Sequence, residues 1–181
     1  FGKSEGGAIW LDENKTSVYK FYQFWLNVDD DGVIDYMKMY TTLDRESIEA
    51  IAENHAVNPG VRSAQKILAR EVTDIVHGVN RRESVERVTE VLFGGGDFRQ
   101  LSDDDLDALA KEIPRVDVGV GVIEALVVSG AVSSNGEAKR LLKSGAISLN
   151  GEKLTEDQAV NTTSLLKKGK NTFVLIMEGE E

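Results

Sequence analysis

Apolar positions recur at helical spacing through the first two thirds of the chain and change to short alternating runs in the last third. From Ser17 onward, Tyr19, Phe21, Tyr22, Phe24, Trp25 and Leu26 set aromatic bulk at steps of a helix, until Asp29-Asp30-Asp31-Gly32 interrupts. A second helix is predicted over about 33–42, carrying Val33, Ile34, Tyr36, Met37 and Tyr40. A third opens on Asp44 as N-cap and runs to about Asn54. After the turn Val57-Asn58-Pro59-Gly60, the longest helix covers roughly 61–77, with Val61, Ala64, Leu68, Val72 and Ile75 at steps of three and four. Further helices follow over about 81–93, closed by Gly94-Gly95-Gly96, and from Ser102 with its acids at the positive helix start to near Ile113, where Pro114 stops it.

Beyond Pro114 the character changes. Residues 114–120 are β-branched and glycine-interrupted, which suits a linker or a short strand, and an apolar helix over about 121–129 ends at Gly130. Ser134-Asn135-Gly136-Glu137 has the spacing of a capping box, with the Glu reaching back to the cap. The helix it opens reaches about Ser144, and Gly145 suits a left-handed cap. Ile147 and Leu149 then alternate with Ser148, Asn150-Gly151 is the preferred dipeptide of a tight hairpin, and Phe173-Val174-Leu175-Ile176 is an apolar strand. The predicted class is α+β: a loop over 1–16, a helical domain over 17–113, a linker over 114–120 and a small α/β module over 121–181.

Charge changes the picture mainly through its distribution. The net charge is −10, against indiscriminate binding to nucleic acid. Residues 1–118 hold 14 Lys+Arg against 23 Asp+Glu, whereas residues 119–181 hold 7 against 8. In that nearly neutral third the cations cluster. Lys139, Arg140 and Lys143 share the face of the capped helix opposite Ala138, Leu141 and Leu142, and Lys167, Lys168 and Lys170 precede the last strand. Phosphate contacts are expected there; a solvated helix face is the plainer reading. Arg62, Lys66 and Arg70 form a second basic stripe along the long helix, either touching RNA backbone or pairing locally with Glu71 and Asp74. The aromatic run 19–26, and Trp10 with it, is read as core rather than a base-stacking surface, and His77 as a partner of its helix's negative end. With no cysteine and two histidines, the composition offers neither disulfides nor a usual zinc set, and no run of about 18 apolar residues suggests a membrane span.

Two stretches carry a family resemblance. Residues 134–153, Ser-Asn-Gly-Glu-Ala-Lys-Arg-Leu-Leu-Lys-Ser-Gly-Ala-Ile-Ser-Leu-Asn-Gly-Glu-Lys, resemble the RNA-binding module of ribosomal small-subunit protein four, which pseudouridine synthases and bacterial tyrosyl-tRNA synthetases share. Asn135 stands where that module often has Arg or Lys, so one phosphate contact is expected to be missing. Phe1-Gly2-Lys3-Ser4 resembles the tail of the K-F-G-K-S loop, the tyrosyl form of the class I signature, lacking its first Lys. Gly2 to Asp12, Tyr19 to Asn27, and Arg62 to Thr73 with Val76-His77-Gly78 are similar to bacterial tyrosyl-tRNA synthetases in the same order.

The resemblance implies an anticodon-binding helical domain followed by the small RNA-binding module. It implies an enzyme that activates tyrosine with ATP, magnesium-dependent, and transfers it to tRNA(Tyr). Lys3 would stabilise the departing pyrophosphate and Ser4 would support the loop. RNA would meet Arg62, Lys66, Arg70, Ser134, Lys139, Arg140, Lys143, Lys167, Lys168 and Lys170. The resemblance also implies a cytoplasmic enzyme that dimerises through a catalytic domain not in this sequence. The 181-residue chain itself is expected to be a monomeric, inactive fragment with no bound cofactor, cut from a longer chain inside that loop. The competing reading is a free-standing RNA-binding module of a ribosome-associated or pseudouridylation factor, which has no reason to carry the Gly-Lys-Ser loop.

Overall fold

In the computed structural model, residues 8–179 are described. The contacts divide the chain into two compact units, 1–85 and 86–181. The first unit is helical: α1 (Val18–Leu26), α2 (Val33–Tyr40), α3 (Arg45–Val57), α4 (Ser63–His77) and the start of α5 (Val79–Thr89). Ser17 and Asp44 cap α1 and α3, accepting from the amides of Lys20 and Ser47. The Ser47 contacts also hold the Asp44 carboxyl below its ordinary range. Pro59–Val61 is a 3-10 turn, so the long helix starts at Ser63 instead of 61; Arg62 before it has a left-handed backbone, with φ of 57°.

Phe21, Tyr22 and Trp25 from α1 are buried with Val33, Met37, Ala64, Leu68 and Val72, so the aromatic run is core. Trp10 is not. It is 50% exposed, with the Lys15 ammonium 4.4 Å from its ring centroid. A lone Trp in a loop before the first helix has no helical face to bring it inward, which corrects the sequence reading. The loop between α1 and α2 is tied down by distant side chains. Arg62 Nη2 donates to the carbonyls of Leu26 at 2.9 Å and Val28 at 3.1 Å, and Gln65 Nε2 donates to Asp30 Oδ1 at 2.6 Å. His55 Nε2 lies 3.2 Å from the Asp30 carbonyl.

His77 is a second correction. Its ring meets Phe21 edge-on at 4.8 Å, and its Nε2 is buried with no hydrogen-bond partner. Burial pushes its pKa below 6.5, with Glu13 opposing and Arg81 assisting, so the folded unit prefers the neutral ring to the cation a helix terminus would favour. Because the folded pKa is depressed, the unfolded chain takes up the proton first as pH falls. This contribution to stability is present above pH 6.5 and is lost as pH drops through the lower folded value. Trp10 and Trp25 both lie in the first unit, so their fluorescence reports its unfolding. His77→Gln is expected to flatten the fall in stability as pH drops below 6.5, carboxylate contributions being common to both proteins. Identical pH profiles would refute the assignment.

The second unit begins with the end of α5 and a π-helical turn at Glu90–Gly94, then α6 (Asp103–Ala110), β1 (Arg115–Val116), β2 (Val120–Gly121), α7 (Val122–Val128) and α8 (Asn135–Lys143). Five strands complete it: β3 (Ile147–Leu149), β4 (Glu152–Leu154), β5 (Ala159–Val160), β6 (Ser164–Lys168) and β7 (Thr172–Ile176). One sheet has the order β1-β7-β6-β3-β4, with β1 parallel to β7 and the other pairs antiparallel. β2 and β5 pair separately. The expected α+β class is the one found, and the described residues contain no strand before Arg115. The hairpin turn has the predicted geometry, with φ of 50° at Asn150 and 88° at Gly151.

Strand alternation gives the larger sheet two buried faces. Val116, Ile147, Leu166, Val174 and Ile176 face a core completed by Val122, Leu126, Ala138 and Leu142 of α7 and α8. Leu165, Phe173 and Leu175, on the other face by register, are also buried. The cover there comes from 86–110: the ring of Phe93 meets Phe173 edge-on at 5.7 Å, and a cleft of about 240 Å³ runs between Val91, Gly96 and Phe98 on one side and Ser148, Leu165 and Lys167 on the other. So the compact units divide at Val85/Glu86, and the 114–120 stretch, expected as a linker, contributes β1 to the sheet edge and the first residue of β2. A helical segment with an apolar side belongs to whichever core covers that side, and periodicity alone does not say which.

Candidate nucleic-acid interface

α8 is a nine-residue helix with a sharp division between its faces. Ala138 is 0% and Leu142 2% exposed, while Lys139, Arg140 and Lys143 are all exposed. None of these three cations forms an ion pair among the described residues. Arg140 and Lys143 lie in the last turn, where the partial negative charge of the helix end favours them. Ser134 caps the other end, its Oγ accepting from the Glu137 amide at 3.3 Å. The return bond of the expected capping box is absent: the Glu137 carboxylate accepts from Ser133 instead, from its amide at 2.9 Å and its hydroxyl at 2.7 Å. Those bonds, with Lys168 and Arg140 adding lesser attraction, hold the Glu137 carboxyl below its ordinary range. At the C-terminal end Gly145 takes φ of 67°, where a side chain would be strained, and its amide donates to Leu142.

The second basic cluster is divided by the pleat. Lys167 and Lys168 are neighbours on β6 and therefore point to opposite faces. Lys168 is on the α8 side: its Nζ donates to the Ala131 carbonyl at 2.5 Å, in the turn between α7 and α8. Lys167 is on the far side, 5.2 Å from the Phe173 ring centroid and half-buried. Lys170 is exposed in the turn between β6 and β7, which the Gly169 amide ties to the Ala146 carbonyl just beyond α8. Lys153 escaped the sequence reading. It is exposed on β4, its Cδ 4.0 Å from where a Cβ on Gly145 would lie, hence close to the C-terminal end of α8. Counting back from the Asn-Gly turn pairs it with Ser148 and could have found it.

The stripe on α4 is also less uniform than its spacing suggests. Arg62 has its guanidinium on the carbonyls of Leu26 and Val28, whereas Lys66 and Arg70 are exposed. Lys3 and Ser4 lie outside the described residues. No helix among those described is long and apolar enough to cross a membrane.

Residues 1–94 match the family described as tRNA synthetases class I (W and Y). The chain belongs to that class I synthetase family. Residues 105–180 match the C-terminal domain described as tyrosine–tRNA ligase SYY-like, so both compact units hold synthetase sequence. The tyrosine–tRNA ligase of Desulfitobacterium hafniense strain Y51 is 40% identical over 184 residues, taking in 100% of this chain and 43% of its own length. Tyrosine–tRNA ligase 1 of Bacillus subtilis strain 168 is 40% identical over 188 residues, 97% of this chain and 44% of that one. This chain thus spans less than half the length of these curated relatives. A C-terminally truncated mitochondrial tyrosyl-tRNA synthetase from Aspergillus nidulans superposes with a TM-score of 0.46 at 38% identity, covering 48% of this chain and 25% of that one. The resemblance first drawn from the Gly-Lys-Ser loop, the aromatic run and the Ser134–Lys153 segment is borne out at the level of family.

Proposed function

We propose that this chain is the tRNA-gripping part of a class I tyrosine–tRNA ligase, with α8 presenting Lys139, Arg140 and Lys143 to phosphates of tRNA(Tyr). The observation that carries it is the anchoring of α8: its apolar side is locked in the core, so three unpaired cations stand in solvent on a rigid element, their positions set before RNA arrives. Lys170 and Lys153 extend the cationic surface along the adjoining turn and strand. Ser134 acts through its cap and Arg62 through the Leu26 and Val28 carbonyls, so both order the backbone on which cations are displayed. Lys66 and Arg70 offer further phosphate contacts from the helical unit.

In the whole enzyme, ATP and tyrosine would be substrates of the catalytic region. Lys3 would meet the departing pyrophosphate there, supported by Ser4, where a cation that binds the developing charge raises the rate. Residues 1–94 belonging to a synthetase family favour this reading over a free-standing RNA-binding module. A cytoplasmic enzyme paired through its catalytic region is the expected setting. Filter binding of the 181-residue chain to a tRNA(Tyr) transcript over a salt series tests the reading. Affinity is expected to fall by at least about 40-fold between about 50 and about 200 mM salt, from three or more phosphate contacts releasing roughly 0.9 counterion each. Binding that ignores salt defeats it.

A further inference from the structure

We propose that Lys168, on the RNA reading above, is a positioning residue that braces the turn into α8, and that it is not itself a phosphate ligand. Position alone makes it one more cation beside the basic helix. Its contacts say otherwise. The ammonium donates to the Ala131 carbonyl at 2.5 Å, and the side chain is half-buried. A charged donor on a carbonyl is among the stronger hydrogen bonds of a surface. It is also drawn toward Glu137, which offsets its charge locally.

Ala131 lies in the turn that sets the direction in which α8 leaves. Most ties on that turn come from α7 and α8 themselves: the Gly130 amide donates to Val127, that of Val132 to Leu126, and Ser133 donates twice to Glu137. The Lys168 tie comes from the sheet, where β6 is held by β3 through the pair Ile147↔Lys168. It therefore fixes the turn, and with it Lys139, Arg140 and Lys143, to the rigid sheet. Removing it leaves the cations in place on α8 and frees the frame that aims them.

The two roles separate in the salt dependence of binding. A phosphate ligand contributes roughly 0.7–0.9 to the slope of log affinity against log salt, and a positioning residue contributes none. The full 181-residue chain is titrated with a tRNA(Tyr) transcript as wild type, Lys139→Ala, Lys168→Met and Lys168→Arg. Lys139→Ala is expected to lose that slope. Lys168→Met is expected to bind about three- to tenfold more weakly at every salt with the slope kept, the loss typical of unfreezing a few groups at an interface. Amide exchange at Val132 and Ser133 should quicken, and Lys168→Arg, which keeps a charged donor, should restore most of the affinity. Should the Met variant fail to fold, Lys168→Gln carries the same expectations. A slope lost in Lys168→Met as in Lys139→Ala, an unchanged affinity, or unaltered exchange at the two amides overturns the proposal. An unchanged slope in Lys139→Ala instead sinks the RNA reading, and the two failures are told apart.

Discussion

Replacing Lys139, Arg140 and Lys143 together by alanine is expected to weaken binding to tRNA(Tyr) about 100-fold near 150 mM salt, from roughly 0.7–0.9 counterion released per phosphate neutralised. At that ionic strength each such contact is worth about 1 kcal/mol, and three give about two decades. The slope of log affinity against log salt should fall by about 2–3, so the variant's deficit is greatest in dilute salt and shrinks as salt rises. Stability should barely change. The helix is anchored by Ala138 and Leu142, and the exposed cations make no ion pairs among the described residues. Losing Arg140 and Lys143 from the last turn costs about 0.3–1 kcal/mol each through the helix dipole, partly offset by alanine's higher helix propensity. The chain's net charge of −10 makes the outcome diagnostic, because a protein repelling RNA overall can bind it only through such a concentrated patch. If the triple variant binds as wild type does across the salt series, α8 is merely a solvated face.

The largest expected loss of stability lies elsewhere, in Arg87→Met. Asp105 is fully buried and receives both forks of Arg87, Nε at 2.8 Å and Nη2 at 2.9 Å, together with the Ser102 amide at 3.1 Å. This closes a capping box on α6, since the Asp105 amide in turn donates to Ser102 Oγ at 3.3 Å. Taking away the guanidinium leaves a carboxylate buried without its counter-charge, at a cost of about 3 kcal/mol, the lower end of the usual range because Arg87 is itself 47% exposed. For a unit of this size the midpoint of thermal unfolding should drop by more than about 10 °C. Calorimetry of the full chain would show it as a lowered midpoint. Arg87→Met combined with Asp105→Leu should recover part of the loss and no more, because the Ser102 amide then loses its acceptor. A single variant as stable as wild type would show that the pair contributes nothing.

The amino-acid sequence alone determined what depends on neighbours a few positions apart. Asp44 and Ser134 were legible as caps because a cap acts on an amide two or three residues on. The Asn150-Gly151 turn and the left-handed Gly145 were legible because few residues tolerate positive φ. The split of α8 into core and cations follows from helix period, and the family from the order of its motifs. Only the tertiary structure decided where long-range partners lie. It turned Arg62 from a surface cation into a brace on Leu26 and Val28, placed Lys167 and Lys168 on opposite sides of the sheet, and brought Lys153 to the end of α8. It also grouped residues 86–110 in one compact unit with the strands that follow them. The physical reason is common to all of these: a side chain's role is set by what occupies the few ångströms around it, and in a folded chain much of that comes from residues tens of positions away.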